Sequence, residues 1–216
     1  MKVLIIIPAY NEELNIVKTV NDVTSNTNYD YVIINDGSLP INYGLTSAVQ
    51  VGMKYALNND YDVAIQFDGD GQHQAKELSK LVKEVENGED IVIGSRFVIK
   101  SKPKTMRMLG SNLITFITKL TTGKTIKDPT SGMRAYNQDA IKDLVYNSGL
   151  SPEPDTIVYM LKKKKKVKEV QVEMREREFG ESYLKPLKAI KYMVSMFCSI
   201  IFIRSFTKNV GGKKCQ

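Results

Sequence analysis

Asp68 and Asp70 stand two residues apart, and Gln72 follows two further on, in the run Phe67-Asp68-Gly69-Asp70-Gly71-Gln72-His73. Two carboxylates and a carboxamide oxygen at this spacing can converge on one hard divalent cation, because the intervening glycines leave the backbone open. Mg²⁺ or Mn²⁺ held this way keeps other positions for the oxygens of a substrate diphosphate. The mostly apolar run Val63-Ala64-Ile65-Gln66-Phe67 reads as a buried parallel strand that delivers the acids to its carboxyl edge, where open α/β sheets bind ligands. A calcium loop of the EF-hand kind is disfavoured, since it needs Gly where His73 sits and a carboxylate where Ser79 sits. Taken alone, Asp-Gly-Asp also suits a solvated turn.

Three further runs end in polar residues after an apolar strand. Val3 to Ile7 is aliphatic and closed by Pro8, and Tyr10 and Glu12 follow; an aromatic at a ligand edge can hold a nucleobase. Tyr31-Val32-Ile33-Ile34 leads to Asn35-Asp36-Gly37-Ser38, where Asp36 can accept from a base N–H or a ribose hydroxyl. Asp90 to Ser95 leads to Arg96, whose planar fork suits phosphate. Arg107 and Ser111 share a face near the start of the next helix, where free N–H groups also favour an anion. Arg134 suits either Asp128 or a substrate phosphate.

The elements that must position these groups read as one α/β domain. With 216 residues, 42% of them hydrophobic and 25% charged, the chain can bury one good core and not two of ordinary size. Helices are expected from Glu12 to Val23 with Asn11 as N-cap and Leu14, Val17 and Val20 packed inward, and over Leu45 to Leu57 with Ala48, Val51 and Ala56 inward. Others are expected over Ala75 to Asn87 with Gly88 as C-cap, Met106 to Thr121, Gln138 to Tyr146, and from Ser151 to about Leu161. Val167 to Met174 alternates as a strand after the five-lysine run Lys162 to Lys166, a solvated helix end with membrane contact as the other option.

The net charge is +7, and no acidic residue follows Glu181, whereas Lys185, Lys188, Lys191, Arg204, Lys208, Lys213 and Lys214 do. Such a tail suits an anionic surface. The final helix, Ala189 to Phe206, is apolar with a thin polar stripe of Lys188, Lys191, Ser195 and Ser199. It is too short to span a bilayer and fits a helix lying in the interface, with contact between two copies as the alternative. Cys198 and Cys215 form no disulfide framework, and the N-terminus reads as a core strand and not a signal peptide.

In five blocks taken in order, the chain resembles family 2 glycosyltransferases of the GT-A fold, in particular the polyprenyl-phosphate sugar synthases similar to dolichol-phosphate mannose synthase. The blocks are Pro8 to Glu12, Asn35 to Ser38, Asp68 to His73, Gly94 to Arg96 and Asp128 to Arg134. The resemblance implies a GT-A domain over residues 1–183, with 184–216 as a basic, apolar C-terminal helix for membrane or dimer contact. It implies an inverting glycosyltransferase that moves a sugar, glucose favoured, from a nucleoside diphosphate sugar, UDP-glucose favoured, to a polyprenyl phosphate at the cytoplasmic membrane face. Pro8, Tyr10, Glu12, Asp36 and Asp68 would bind the nucleotide, and Asp68, Asp70 and Gln72 the metal. Arg96, Arg107, Ser111 and Arg134 would bind the acceptor phosphate, with Asp70, Arg96 and Arg107 as the catalytic set. Arg175 to Tyr183 resembles a loop over the donor pocket.

The alternatives are transfer to a sugar hydroxyl, which needs a base such as Asp128, Glu153 or Asp155, and a non-catalytic nucleotide-sugar binder. No nucleic-acid module is recognisable, and a homo-oligomer is compatible with the C-terminal helix. In the family a helix and a strand separate the Asp-Gly-Ser block from the Asn-x-Gly turn. Here Asn42-Tyr43-Gly44 follows after only Leu39, Pro40 and Ile41, too few for a parallel crossover, so a segment is expected to be missing near Ser38 and Leu39.

Overall fold

In the computed structural model, residues 1–10, 12–35, 44–147, 150, 152–175 and 186–203 are described. Six strands form one sheet in the order β2-β1-β3-β5-β4-β6. They are β1 (Val3–Ala9), β2 (Asp30–Asn35), β3 (Val63–Gln66), β4 (Ile91–Ser95), β5 (Arg134–Asn137) and β6 (Val167–Gln171). β1 pairs in parallel with β2 and β3, and β4 with β6, while β5 runs antiparallel between β3 and β4. The carboxyl ends of β1, β2, β3 and β4 therefore meet the amino end of β5 at one edge. That edge carries Tyr10, Asn35, Asp68, Arg96 and Arg134, the α/β arrangement the sequence implies.

The helices are α1 (Glu13–Asn26), α2 (Gly44–Asn58), α3 (Leu78–Glu86), α4 (Met106–Thr122), α5 (Gln138–Tyr146), α6 (Pro154–Lys162) and α7 (Pro186–Cys198), the last continued by a π-helical turn, Ser199–Ile203. Two apolar clusters cover the two sheet faces. Leu4 and Ile6 join Val49, Met53 and Ile141 on the α2 and α5 side. Ile5, Ile7 and Phe67 join Val23, Leu78 and Leu81 on the α1 and α3 side. β1 and β3 are buried on both faces, which is why they read as uninterrupted apolar runs.

Two expectations about helices are corrected. Leu14 and Val17 of α1 are exposed, at 70% and 63%, and the inward residues are Asn15, Thr19 and Val23. The reason lies at the site: Thr19 Oγ1 donates to the Gly69 carbonyl at 3.3 Å, so α1 turns a polar side toward the acidic loop. Val51 of α2 is likewise exposed, while Ala48 and Ala56 pack inward. At the start of α1 the capping position falls on Glu12, whose carbonyl accepts from Asn15 and Ile16; Asn11 lies outside the described residues.

Also outside them are Asp36 to Ser38, the junction of Ser38 with Leu39, most of the Arg175 to Tyr183 loop, and the basic tail from Arg204. What is described on either side of that junction is a β2–α2–β3 connection in which α2 makes the crossover. β2 is an edge strand among the described residues.

Candidate active site

Phe67 leaves β3 still hydrogen-bonded to the Ile6 carbonyl, and the chain then turns through Asp68 to Gln72. Asp70 Oδ1 accepts from the Gln72 amide at 3.1 Å, and Gly71 takes a φ of 75°, a left-handed conformation that glycine adopts at little cost. The Gln72 carbonyl in turn accepts from the Arg175 amide at 2.8 Å, so the acidic turn is tied to the strand end after β6. A small cavity lies beside Asp70, lined also by Asn15, Thr19 and His73.

Asp68 is held more firmly. Its Oδ1 accepts from Gln66 Nε2 at 3.2 Å, and its Oδ2 lies 3.5 Å from Nε2 of the buried His73. Burial opposes ionisation of this carboxyl, but His73, Gln66 and the nearby Arg134 outweigh it and hold it below the ordinary value. Its other neighbour is Gly132, where an added Cβ would lie 1.9 Å from Oδ2. The last of the five sequence blocks thus meets the third one backbone to side chain.

Asp128, fully buried, takes both N–H directions of the Arg96 fork, Nε to Oδ2 at 2.8 Å and Nη2 to Oδ1 at 2.8 Å, and the Arg96 amide at 3.1 Å. The Arg96 side chain is 23% exposed, and Nη1 takes no part in the Asp128 grip. Beside it, Lys102 Nζ donates to Ser111 Oγ at 3.0 Å and to Thr115 Oγ1 at 3.4 Å. Burial, reinforced by the Arg96 charge, holds the Lys102 ammonium below the ordinary lysine value, against the pull of Asp128 and Glu169. Arg96 and Lys102 both lie over the Phe97 ring, at 5.0 and 5.8 Å from its centroid.

The sequence expectations divide accordingly. Asp68, Asp70 and Gln72 share one turn, Pro8, Tyr10 and Glu12 lie at the end of β1, and Arg96 lies across the edge. Ser111 is buried and bonded to Lys102, and Arg107 stands in the first turn of α4 with its side chain outside the described part. Arg134 is corrected: it is buried, its guanidinium donating to the carbonyls of Ser131, Pro152 and Pro129 at 2.9, 2.8 and 2.8 Å, so it pins the loop and offers no face to a substrate phosphate. Lys102 and His73 are the residues that sequence reasoning passed over. His73 adjoins the acids in sequence, but nothing in the loop from 97 to 105 singles out Lys102 among its neighbours.

Among the described residues no three His, Cys, Asp or Glu side chains form a metal-binding group. Two carboxylates completed by substrate oxygens are nonetheless a donor set that Mg²⁺ or Mn²⁺ accepts, and Asp68, kept ionised and 28% exposed, fits it.

A mostly parallel α/β sheet with an acidic turn after its central strand and a cationic cluster across the same edge defines the GT-A class of nucleotide-sugar transferases. The sequence model of glycosyl transferase family 2 matches residues 4–145, and the chain belongs to this family. It is 31% identical to a UDP-N-acetylglucosamine–dolichyl-phosphate N-acetylglucosaminyltransferase of Methanococcus voltae, over 66% of this chain and 72% of the relative. It is 28% identical to an undecaprenyl-phosphate mannosyltransferase of Micrococcus luteus, over 84% and 87%. With a dolichol-phosphate mannosyltransferase of Pyrococcus furiosus the identity is 30%, over 89% of this chain and 62% of that one.

The Micrococcus alignment runs over 212 residues yet uses 84% of the 216 here, about 181, leaving about thirty positions of the relative without a counterpart. The Pyrococcus alignment, 224 residues on 89% of this chain or about 192, gives the same excess. Among solved structures, the fold is that of glucosyl-3-phosphoglycerate synthase from Mycobacterium tuberculosis. The TM-score is 0.66 at 14% identity, with 92% of this chain and 79% of that one covered. A complex of that enzyme with Mn²⁺, UDP and phosphoglyceric acid scores 0.64 at 11% identity, over 97% and 80%.

Proposed function

We propose that this glycosyltransferase moves a sugar, with inversion, from a nucleoside diphosphate sugar to a polyprenyl phosphate at the cytoplasmic face of a membrane, where it sits peripherally. UDP-glucose is the favoured donor, on resemblance. The observation that carries the choice of acceptor is the state of the three carboxylates that a hydroxyl acceptor would need as base. Asp128 is locked into the Arg96 fork. Glu153 accepts a short hydrogen bond from Tyr192 and a further one from Thr46 at 3.5 Å, and Asp155 accepts from Ser199 at 2.7 Å. A phosphate acceptor is ionised near neutral pH and needs no base. It needs cations, and Arg96 and Lys102 supply them.

Each residue then has a task. Tyr10, half exposed at the end of β1, holds the nucleobase with Pro8 and Glu12, and Asp36 the ribose. Asp68 and Asp70, with Gln72, would hold Mg²⁺ or Mn²⁺, which neutralises charge on the departing diphosphate. Arg96 and Lys102, with Arg107, orient the acceptor so that one phosphate oxygen faces the anomeric carbon opposite the leaving group; the new C–O bond forms as the bond to diphosphate breaks.

A lipid acceptor also requires a lipid-facing surface, and α4 supplies one. Ser111, Ile114 and Ile117 face inward, whereas Leu109, Leu113, Phe116 and Leu120 form an exposed stripe at helical spacing. Lys104, Lys119 and Lys124 flank it, and Val194 and Phe202 of the packed C-terminal segment are also exposed. No helix among the described residues is long and apolar enough to cross a membrane, so this surface suits contact in the interface plane.

The test is a panel of labelled nucleotide sugars with a short polyprenyl phosphate, a free sugar acceptor, and EDTA followed by Mg²⁺ or Mn²⁺. Transfer to the lipid phosphate, lost in Arg96→Ala and kept in Glu153→Ala and Asp155→Ala, supports the proposal. Transfer only to a sugar hydroxyl, or donor binding without turnover, overturns it.

A further inference from the structure

The polar side that α1 turns toward the acidic loop is a single row. Asn15, Thr19 and Asp22 stand at i, i+4 and i+7, so they share one face of the helix. Thr19 Oγ1 reaches the Gly69 carbonyl near the start of the acidic turn, and Asp22, with a side chain 13% exposed, reaches past its end. Asp22 Oδ2 accepts from the Ala75 amide at 2.7 Å, and Oδ1 accepts from Arg175 Nη2 at 3.1 Å. Arg175 is also the residue whose amide donates to the Gln72 carbonyl, and His73 pairs with Met174 in an isolated antiparallel bridge. One carboxylate thus ties the chain that follows the turn to the strand end that flanks it. The cavity beside Asp70 is lined by Asp22 and Arg175 as well.

Ala75 opens a 3₁₀ turn, Ala75–Glu77, that runs into α3. The N–H groups at such a start call for an acceptor, which the residue in the capping position ordinarily supplies. Here that residue is Gln74, and its side chain makes no capping hydrogen bond. Asp22 supplies the acceptor from a different helix, and its charge suits that end of the α3 dipole. Ala75 is fully buried, so without Asp22 its N–H would face no water, and the chain would have to move to find it a partner. The chain that would move carries Gln72 and His73 immediately before it. Arg175, whose side chain is half exposed, would instead be hydrated and gives a weaker hold.

We propose that Asp22 is a positioning residue for the acidic turn: by accepting from the Ala75 amide it fixes the backbone on which Asp70 and Gln72 are presented to a divalent cation. The proposal rests on the turn being the metal site. Groups that hold a metal's ligands in place in this way govern its affinity, by about 10–100-fold. What Asp22 supplies is one oxygen at one place. A carboxamide of the same length keeps that oxygen, whereas a carboxylate one methylene longer misplaces it.

Titration of the full chain with Mn²⁺, alone and with UDP, followed by electron paramagnetic resonance, tests this. Asp22→Ala and Asp22→Glu are each expected to weaken Mn²⁺ binding about tenfold or more, and Asp22→Asn to stay within about threefold of the wild type. The donor KM is expected to rise in the first two with the acceptor KM unchanged, a division that loss of stability by itself would not give. Circular dichroism monitors the fold, and Asp22→Glu carries the test should Asp22→Ala misfold. Asp70→Ala separates the two proposals. A wild type that binds no Mn²⁺, or an Asp70→Ala variant that binds it undiminished, removes the metal site and the role of Asp22 with it. Binding lost in Asp70→Ala but undiminished in Asp22→Ala and Asp22→Glu overturns the role of Asp22 alone. Equal losses in Asp22→Asn and Asp22→Ala would overturn it too, since they would assign the effect to the charge and not to the placed oxygen.

Discussion

Asp128 grips Arg96 at three points, the two fork directions at 2.8 Å and the backbone amide at 3.1 Å, and it does so without solvent contact of its own. The pair fixes the angle at which the remaining guanidinium N–H groups leave the sheet edge. A lysine cannot reproduce a bidentate grip. Arg96→Lys and Arg96→Ala are both expected to lower kcat/KM for the acceptor by about 10²-fold, a positioning loss, with donor affinity unchanged. Asp128→Ala strands a partly buried cation and is expected to cost about 3–5 kcal/mol of stability as well. Steady-state kinetics with each substrate varied, and denaturant unfolding, check the two parts.

The second relationship is steric. Gly132 leaves no room for a methyl group, since an added Cβ would lie 1.9 Å from the Asp68 carboxylate. Gly132→Ala is expected to push Asp68 out of the turn, abolish the stabilisation of the protein by Mn²⁺ with UDP in thermal unfolding, and reduce turnover by about 10²-fold. Retention of that stabilisation would separate Asp68 from the metal.

Much of this was legible in the sequence, for a physical reason. β1, β3 and β4 are buried on both faces and read as mostly apolar runs, so the polar residues that follow Ile7, Phe67 and Gly94 mark one sheet edge in the sequence alone. The Asp128 to Arg134 loop was legible as a block but not in its detail. That Asp128 pairs with Arg96, some thirty residues away, and not with the nearby Arg134, which is walled in by carbonyls, depends on contacts between distant segments. Amphipathic pattern failed where two stripes compete. On α4 both Ile114 with Ile117 and Leu113 with Phe116 fit a core face, and on α1 the apolar Leu14 and Val17 lost the inward position to Asn15 and Thr19.

The exposed stripe on α4 predicts where the protein meets lipid. Leu113→Glu and Phe116→Glu remove apolar contact at separate points, each side chain contributing about 1.5–3 kcal/mol when fully buried. Each is expected to weaken sedimentation with anionic vesicles about tenfold or more, with turnover of a short water-soluble acceptor unchanged. Undiminished vesicle binding by the double variant would move the contact to another face.

Lys102 predicts a pH dependence. Burial favours its neutral form, so its cation is lost at a lower pH than the ordinary lysine value of 10.5. The acceptor KM is expected to rise on the alkaline side, below that value, in the wild type. Lys102→Arg, which does not titrate there, is expected to keep the cation and flatten the rise. A rise of the same shape in Lys102→Arg would assign it to another group.

Glu153 carries the last prediction, because its carboxylate accepts from Tyr192 and so ties α7 to the start of α6. Burial pushes its carboxyl above the ordinary value of 4.5, an effect that the Tyr192 hydroxyl and Arg134 only partly offset. The folded state therefore binds a proton more tightly than the unfolded chain does. The protonated form's advantage is fully present below about pH 4.5 and is lost as the pH rises through the raised folded value. Glu153→Gln keeps an oxygen for Tyr192 and removes the ionisation. The variant is expected to match the wild type in thermal stability near pH 4.5 and to exceed it as the pH rises through the raised folded value. Since Tyr192 belongs to α7, protease resistance of the C-terminal segment is expected to follow the same difference. A constant offset between the two proteins across that range would mean that Glu153 does not titrate in the window its burial implies.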